Sequence, residues 1–419
     1  MSVGVCIING NGIALAADSA GTISYSGKNK MFYNSMNKVF NLSNKNMLGA
    51  ITYGGTSIHN APIEAILKKF KEHIDNRDEP IDDIFNIIKM FEQFLFINKT
   101  YFMFDKSEDI VCKNLISDLV REWGKRINEC FKFFTEEEVK AKIQSVLDEF
   151  NFTIKNALKI AGYDNKEYIR NNYNAFTTSL INSTSPKFMV YEEYLKIFLE
   201  YIYEYFNLSL TKETSNNVGL LFTGFDNKSI FPKFIHINIL NFIGEKLKYT
   251  MMNSGEANGV YAQIIPLAQP EVMRTFYYEI SSKYSNAIPG LINSEIDKKM
   301  NELKTFVSEE VFNQIKDKLS DVGLNVQSSI LEKSRKESFE PFINNIVNLG
   351  VPELAFLSES LVNITSLKRQ YSIDGFQQTV GGPTDVATIC QGEGFIWIKR
   401  KHYFDKDKNM QYINKIKIK

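Results

Sequence analysis

The amino-acid sequence predicts an α+β protein in which one mixed sheet core takes strands from the start, the middle and the end of the chain. Apolar residues alternate with the period of two that is typical of strands within residues 1–60, 213–264 and 385–399. Between these regions lie long stretches in which apolar residues recur every three or four positions, which is the pattern of helices. A doubly wound parallel sheet would alternate short strands and helices evenly, so this order disfavours that class.

The first sixty residues predict two β-hairpins. The first spans residues 3–17 and turns at Asn9-Gly10-Asn11-Gly12, residues that favour tight turns. The second pairs residues 38–42 with residues 47–51 across a polar turn. The period then changes, which predicts a helix from about residue 60 to 75.

The middle and the end of the chain add further strands and one more helix. Strands are predicted at residues 218–226, 234–237 and about 247–251. A helix over residues 352–369 is followed by a closing hairpin from residue 385 to 399. These regions would complete the sheet core.

Two long segments predict helical insertions into that core. In the first, only Gly124 and Gly162 interrupt the helical pattern, and the capping box Thr135-x-x-Glu138 predicts the start of a helix. The chain is therefore expected to comprise an N-terminal core part, a helical insertion, central core strands, a second helical insertion, and a C-terminal helix with closing strands (1–76, 77–212, 213–264, 265–345 and 346–419).

Composition limits the classes of function. The 49 basic and 49 acidic side chains balance, which argues against a nucleic-acid or anionic-membrane partner. The four histidines and four cysteines are scattered, so neither the usual zinc patterns nor a disulfide framework is expected. No cofactor or metal is expected, and the sequence has no P-loop for binding phosphates. It also has no G-x-S-x-G motif, which marks one class of serine nucleophile.

The location is expected to be cytoplasmic. No apolar run approaches the roughly 20 residues of a membrane-spanning helix. The apolar N-terminus lacks the charged start of a signal peptide. The basic stretch from Lys399 to Lys419 is expected to be a solvated edge.

One arrangement in this sequence supports hydrolysis without histidine. If Met1 is removed, Ser2 carries both a hydroxyl and a free α-amine, whose reference pKa of about 7.7–8.0 lets it take the hydroxyl proton and return it to a leaving amine. Lys38 and Asp18, at the ends of neighbouring strands, are placed to poise that pair, because an ammonium favours the alkoxide and a carboxylate keeps the ammonium charged. Backbone N–H groups at the Gly54-Gly55 turn are candidates for binding the oxyanion.

These residues lie in segments that resemble proteasome β-type subunits and the related bacterial HslV peptidase. The similar segments at the start of the chain are Ser2 to Val5, Gly12 to Ser19, Asn37 to Phe40 and Gly54 to Thr56. The separation of 16 positions between Ser2 and Asp18 matches the family spacing between nucleophile and aspartate. Residues 224–237 resemble the central hairpin of the family, and residues 379–398 resemble its closing strands, so the resemblance covers about half of the chain.

The resemblance implies an N-terminal nucleophile hydrolase with a four-layer αββα sandwich, enlarged here by the two helical insertions. It implies that Ser2 is the nucleophile and that Asp18, Lys38 and the Gly54-Gly55 turn support it. Because family members assemble as rings, it also implies a homo-oligomer.

The sequence departs from the family pattern in three places. Serine stands at position 2, where the family normally has threonine. Asp18 and Lys38 are 20 positions apart, a few more than in the family, so a loop insertion is expected around residues 24–34. The family's second polar group, an Asp and a Ser, is incomplete, with Ser254 and Thr379 as the candidates for partial substitutes.

Three functions stay open on this basis. The first is hydrolysis of amide bonds, expected to be those of peptides, by Ser2. The second is a non-catalytic proteasome-like protein that serves in assembly or binding, which the incomplete polar group favours. The third is an amidase of the same superfamily that acts on a small amide. Each residue taken alone has an ordinary structural explanation, and the prediction rests on their combination.

Overall fold

A computed structural model describes residues 2–25, 29–43, 45–102, 107–132, 135–157, 164–208, 217–371, 380–402, 404 and 407–410. Up to the first helix, the elements are β1 (Gly4–Asn9), β2 (Gly12–Ala17), β3 (Gly21–Tyr25), β4 (Asn29–Tyr33), β5 (Val39–Ser43), β6 (Leu48–Gly54), β7 (Ser57–Ile58), β8 (Ala61–Pro62) and α1 (Ile63–Asp75). The first helical block then contains α2 (Ile87–Ile97), α3 (Lys99–Phe102), α4 (Ser107–Glu129), α5 (Glu136–Asn156), α6 (Lys166–Thr184) and α7 (Glu192–Tyr205).

Four strands and a second helical block follow. The central strands are β9 (Val218–Gly224), β10 (Lys233–Ile243), β11 (Lys246–Glu256) and β12 (Gln263–Leu267). The second helical region comprises α8 (Pro270–Tyr278), α9 (Ser282–Leu303), α10 (Glu309–Leu319), α11 (Val322–Ser334) and α12 (Glu340–Val347), with a π-helical turn at Arg335–Phe339. The chain continues with α13 (Val351–Gln370), β13 (Asp385–Cys390) and β14 (Gly394–Lys399).

The protein is a mixed α+β protein with two five-stranded antiparallel sheets. Sheet A has the order β12-β1-β2-β13-β14, and sheet B has the order β11-β10-β9-β6-β5. The expectation of one mixed sheet is therefore wrong. Several neighbouring strands are joined by short hairpins, which make antiparallel pairs. The remaining neighbouring strands in the two sheets are antiparallel as well.

The predicted hairpins and the helix after them are confirmed. β1 pairs with β2, β5 pairs with β6, and β13 pairs with β14. Asn9 closes the first turn because its Oδ1 accepts hydrogen bonds from the Asn11 and Gly12 N–H groups at 2.9 and 3.1 Å. The loop insertion expected at 24–34 is instead largely a second hairpin, β3–β4, which pairs Gly21 with Tyr33.

Apolar residues pack on both faces of each sheet. One cluster joins the facing sides of the two sheets, with Leu15 and Ile265 from sheet A and Ile51 and Leu221 from sheet B among its members. The other face of sheet B packs on α1 and α2. The other face of sheet A packs on α8 and α13.

The two helical blocks differ in their cores. Helices α4 to α7 enclose a buried cluster of their own, in which Trp123 and Phe150 stack with ring centroids 4.4 Å apart. The described helices α9, α10 and α11 bury only Ser285, Met300 and Gly323. Within the described chain, none of the helices has the length and apolar character that crossing a membrane requires.

Candidate active site

Asp18 and Lys38 form a buried ion pair that bridges the two sheets. Asp18 directly follows β2, the central strand of sheet A, and Lys38 directly precedes β5, an edge strand of sheet B. Lys38 Nζ donates to Asp18 Oδ1 at 2.5 Å, and the lysine is 3% exposed and the aspartate 1% exposed. The structure thus brings together two of the residues that the sequence singled out.

Asp18 also fixes the residue that follows Ser2. Its Oδ1 accepts a hydrogen bond from the Val3 N–H at 2.9 Å, and its own N–H donates to the Val3 carbonyl at 3.1 Å. Its Oδ2 accepts from the Gly381 N–H at 3.1 Å. Asp18 thus holds Val3 at both its N–H and its carbonyl. Ser2 directly precedes Val3 in the chain and is buried.

The charge of Lys38 is under opposing influences. Burial lowers the pKa of its ammonium group, while the charge of Asp18 and the hydrogen bond to it act in the opposite direction. Lys401 lowers this pKa further, and Asp385 raises it. The net direction is downward, so Lys38 gives up its proton more readily than a lysine in water does.

The end of β6 lies toward Ser2. Gly49 of β6 faces Leu15, since a Cβ there would meet the Leu15 Cδ1 at 3.2 Å. Gly4 of β1 faces Ile51 in the same way, at 3.0 Å from its Cδ1. Leu15 pairs with Cys6 of β1, so Gly49 lies opposite the Cys6 level of sheet A and Ile51 lies opposite Gly4. From residue 49 to residue 51, β6 therefore runs in the direction from Cys6 to Gly4. In this direction β6 runs toward the end of sheet A that carries Ser2.

The two glycines at that end have different roles. Gly54 has a φ of +78°, and a Cβ there would lie 2.6 Å from the Asn217 carbonyl oxygen, so the position requires glycine. The Gly55 N–H donates to the same Asn217 oxygen at 2.7 Å. The Gly55 N–H is therefore used within the protein, and of the two candidate oxyanion donors only the Gly54 N–H is retained below.

The two supporting residues are not brought to the ion pair by the described structure. Ser254 is exposed on β11, the edge strand of sheet B opposite β5. Four strand spacings of about 4.8 Å separate these edges, which is roughly 19 Å. Ser254 therefore lies far from Lys38, and its supporting role is not retained. Thr379 lies outside the described residues.

Sequence reasoning missed a second buried ion pair near the first. Asp385, 3% exposed at the start of β13, binds Lys401 through the lysine's Nζ and also accepts its backbone N–H at 2.8 Å. The Lys401 side chain is 12% exposed, so the expectation of a solvated edge is wrong at this residue. The sequence signal was an acidic residue two positions after Gly381-Gly382-Pro383, at the start of the predicted closing hairpin.

A tyrosine and a histidine lie between the sheets at the same end of β6. Tyr53 Oη and His236 Nε2 are 2.8 Å apart. The Tyr53 ring crosses β9 at Gly219, where a Cβ would lie 2.1 Å from the ring, so this position also requires glycine. Burial lowers the pKa of His236 to about 4, which keeps its imidazole neutral.

Comparisons with known proteins give no family assignment. No protein-family model matches the sequence, and no curated protein matches it. The described part of the chain contains no group of three or more His, Cys, Asp or Glu side chains arranged to hold a metal ion. Surface cavities that the described residues form on the second helical block and between α13 and the β13–β14 hairpin are not lined by Ser2, Asp18 or Lys38.

Proposed function

We propose that the protein is a proteasome-like N-terminal nucleophile hydrolase that cleaves amide bonds, in the first place those of peptides, with Ser2 as nucleophile after removal of Met1. The observation that carries the proposal is the carboxylate of Asp18, which binds the Lys38 ammonium and the Val3 N–H through one oxygen. One group thereby orients both the backbone that presents Ser2 and the lysine beside it. Neither contact requires a histidine.

The fold supports this proposal. Two antiparallel sheets pack face to face, and helices cover the outer side of each. This order agrees with the four-layer αββα sandwich that the resemblance implies. We therefore propose that the sheets and helices α1, α2, α8 and α13 form an N-terminal nucleophile core and that the remaining helices are insertions.

The proposed reaction uses the α-amine of Ser2 as its base. The amine takes the Oγ proton while Oγ forms a bond to the substrate carbonyl carbon, and the Lys38 ammonium stabilises the oxygen anion of Ser2 during this step. The Gly54 N–H binds the oxyanion of the tetrahedral intermediate. The amine then gives its proton to the leaving nitrogen as the C–N bond breaks. A water molecule, activated by the same amine, releases the acyl group.

Intact-mass analysis and covalent labelling test this function. The purified protein should lack Met1 and should gain the mass of one β-lactone or vinyl sulfone probe. Ser2→Ala should abolish labelling, whereas Ser254→Ala, a serine on the distant edge of sheet B, should label as the wild type does. Retention of Met1 on purified protein, or labelling that persists in Ser2→Ala, would overturn the proposal.

A non-catalytic assembly or binding protein is the second candidate. It is favoured by the incomplete second polar group, because the structure places Ser254 far from Lys38. This function predicts no labelling of the wild type and an assembly that survives Ser2→Ala and Lys38→Ala. A small-molecule amidase is the third candidate. It predicts that Ser2 is labelled, as the first does, but that short amides compete with the probe and peptides do not.

We further propose that the protein forms a homo-oligomer in the cytoplasm, without a nucleic-acid or membrane partner. The second helical block supports this, since it exposes large apolar residues such as Leu291, Phe306 and Leu324. Its charged side chains are of both signs, which suits contact with another protein surface better than contact with a polyanion. Light scattering should give a multiple of the chain mass, which Leu291→Ser and Leu324→Ser together should reduce. A monomeric wild type would contradict this expectation.

A further inference from the structure

The Asp385–Lys401 ion pair ties the end of the last strand of sheet A to the start of its neighbour. Lys401 follows β14 and bonds to Asp385 with both its backbone N–H and its side-chain nitrogen. Asp385 is the first residue of β13 and is buried. A lysine that bonds one buried carboxylate twice is held in a defined position, which distinguishes it from an exposed surface lysine.

This pair lies next to the proposed catalytic lysine. Asp385 pairs with Ala17, the residue before Asp18, in the register between β13 and β2. Ala387, two positions further along β13, belongs to the cluster between the sheets, so Asp385 points toward the same space. Lys38 enters this space from sheet B, and the Asp385 and Lys401 charges act on it.

The loop that leads into β13 also holds Asp18. The Gly381 N–H donates to Asp18 Oδ2 at 3.1 Å, and the Gly381 carbonyl accepts from the Ser19 N–H at 3.3 Å. Ser19 Oγ donates to the Pro383 carbonyl at 2.6 Å. Asp385 lies four positions after Gly381, which bonds to Asp18. A displacement of Asp385 would therefore also move the backbone that holds Asp18.

The charges around Lys38 form an alternating series. Asp18 binds Lys38 from the end of β2, and Asp385 and Lys401 follow from β13 and from the segment after β14. Glu64 on α1 is under the influence of Lys401 and is bonded by Lys68 at 2.6 Å. Removal of Met1 would add the α-amine of Ser2 as a further titratable group at this site. Removal of one member leaves its neighbour's charge uncompensated.

We propose that Asp385 and Lys401 are positioning residues that adjust the charge of Lys38, beside the larger influences of burial and Asp18, and so support the incomplete second polar group. The inference deepens the proposed hydrolase function and rests on it for its catalytic meaning. The pair acts through Lys38 and does not itself touch the reacting atoms. Its two members have opposite effects, because Asp385 favours the charged form of Lys38 and Lys401 disfavours it.

The test is the titration of Lys38 in two single variants. Lys401→Met should move the protonation midpoint of Lys38 to higher pH, and Asp385→Asn should move it to lower pH, as measured by NMR of nitrogen-15-labelled lysine side chains assigned with Lys38→Met. The double variant should return the midpoint toward that of the wild type. A purely structural role would instead shift neither midpoint, or would shift both in one direction, and either result overturns the inference.

Lys399→Met supplies a matched control. Lys399 lies two positions before Lys401, is half-exposed and bonds to Glu359 at 2.5 Å, so its loss should leave the Lys38 midpoint unchanged. Thermal melting identifies any variant that fails to fold, and Lys401→Gln then serves in place of Lys401→Met.

Probe labelling separates this inference from the proposed function. The pH profile of Ser2 labelling should move with the NMR midpoint and change the rate at a fixed pH by about tenfold for each pH unit of displacement. If the wild type is not labelled at all, the hydrolase function fails, but the NMR titration still decides whether Asp385 and Lys401 adjust the charge of Lys38.

Discussion

The Asp18–Lys38 pair and a further buried pair, Asp226–Lys233, are built alike and differ in their surroundings. Lys233 Nζ donates to Asp226 Oδ2 at 2.7 Å, close to the 2.5 Å between Lys38 and Asp18. Both aspartates follow a strand, and both accept hydrogen bonds from backbone N–H groups. The pair as such therefore does not mark a functional site.

The difference lies in which groups surround each pair. Asp226 accepts from the N–H groups of Lys228 and Ser229, at 3.1 and 3.0 Å, which closes its own turn, and more weakly from the distant Ile84 N–H at 3.4 Å. Asp83 lies 3.7 Å from Lys233, and although burial works to lower the lysine's pKa, the bond to Asp226 and the surrounding carboxylates raise it overall.

Asp18, in contrast, gathers parts that are distant in sequence. It binds Val3 near the start of the chain and Gly381 near its end, and its lysine has a lowered pKa because burial outweighs the bond to Asp18. A pair that closes a turn can keep its lysine charged at little cost. A lysine with a lowered pKa, bound to an aspartate that also binds the residue after Ser2, has the kind of environment found at sites of proton chemistry.

The largest expected effect separates the two lysines by activity. Lys38→Met should slow probe labelling of Ser2 by about 100-fold or more, because the alkoxide loses its stabilising charge. Lys233→Met should label within about twofold of the wild type. Labelling rates from intact-mass time courses measure both. An equal loss in the two variants would mean that the Asp18–Lys38 pair, too, is only structural.

The next effect separates the two aspartates by stability. Asp18→Ala should lower the free energy of unfolding by about 3–5 kcal/mol, because it leaves the buried Lys38 without its partner. Asp226→Ala should cost about 1–2 kcal/mol, since Lys233 retains Asp83 and the exposed turn can bond to water. Urea unfolding measures both values.

A double variant is the control for this stability comparison. Asp18→Ala combined with Lys38→Met should recover part of the loss, because no unpaired charge remains buried. If the two single aspartate variants cost the same, the difference in surroundings has no energetic consequence.

The sequence predicted those features that depend on neighbouring residues. The Asn9–Gly12 turn specifies the first hairpin, and the change of period after residue 56 specifies α1. The β3–β4 hairpin lies where the sequence predicts a loop insertion, because its strands carry no clear alternation. The presence of β12 was also missed, since five residues give too short a pattern.

At the candidate site, contacts between segments that are distant in the sequence limit what the sequence can predict. Asp18 and Lys38 could be paired from the sequence because both match positions of a family pattern that the start of the chain resembles, although their strands lie in different sheets. Asp385 and Lys401 could not, since their position depends on β13 pairing with β2 across more than 360 residues. Ser254 was selected by similarity of sequence alone, and its strand runs along the opposite edge of sheet B.

The smallest expected effect is a pH dependence of opposite sign for the two lysines. Between the lowered pKa of Lys38 and the ordinary 10.5, the unfolded chain holds a proton that the folded protein has lost, so Lys38 makes stability rise with pH by up to about 1.4 kcal/mol per pH unit. Lys233 has a raised pKa, so its stabilisation is present below 10.5 and is lost as the pH rises through the folded value.

Urea unfolding between pH 8 and pH 11 separates these signs. The stability of the wild type relative to Lys38→Met should increase with pH up to about 10.5, because only the wild type gains from losing that proton. Relative to Lys233→Met it should stay constant and then fall at the alkaline end. If both differences slope in the same direction, the two lysines have the same environment in the folded protein, and the contrast between a catalytic and a turn-closing pair does not hold.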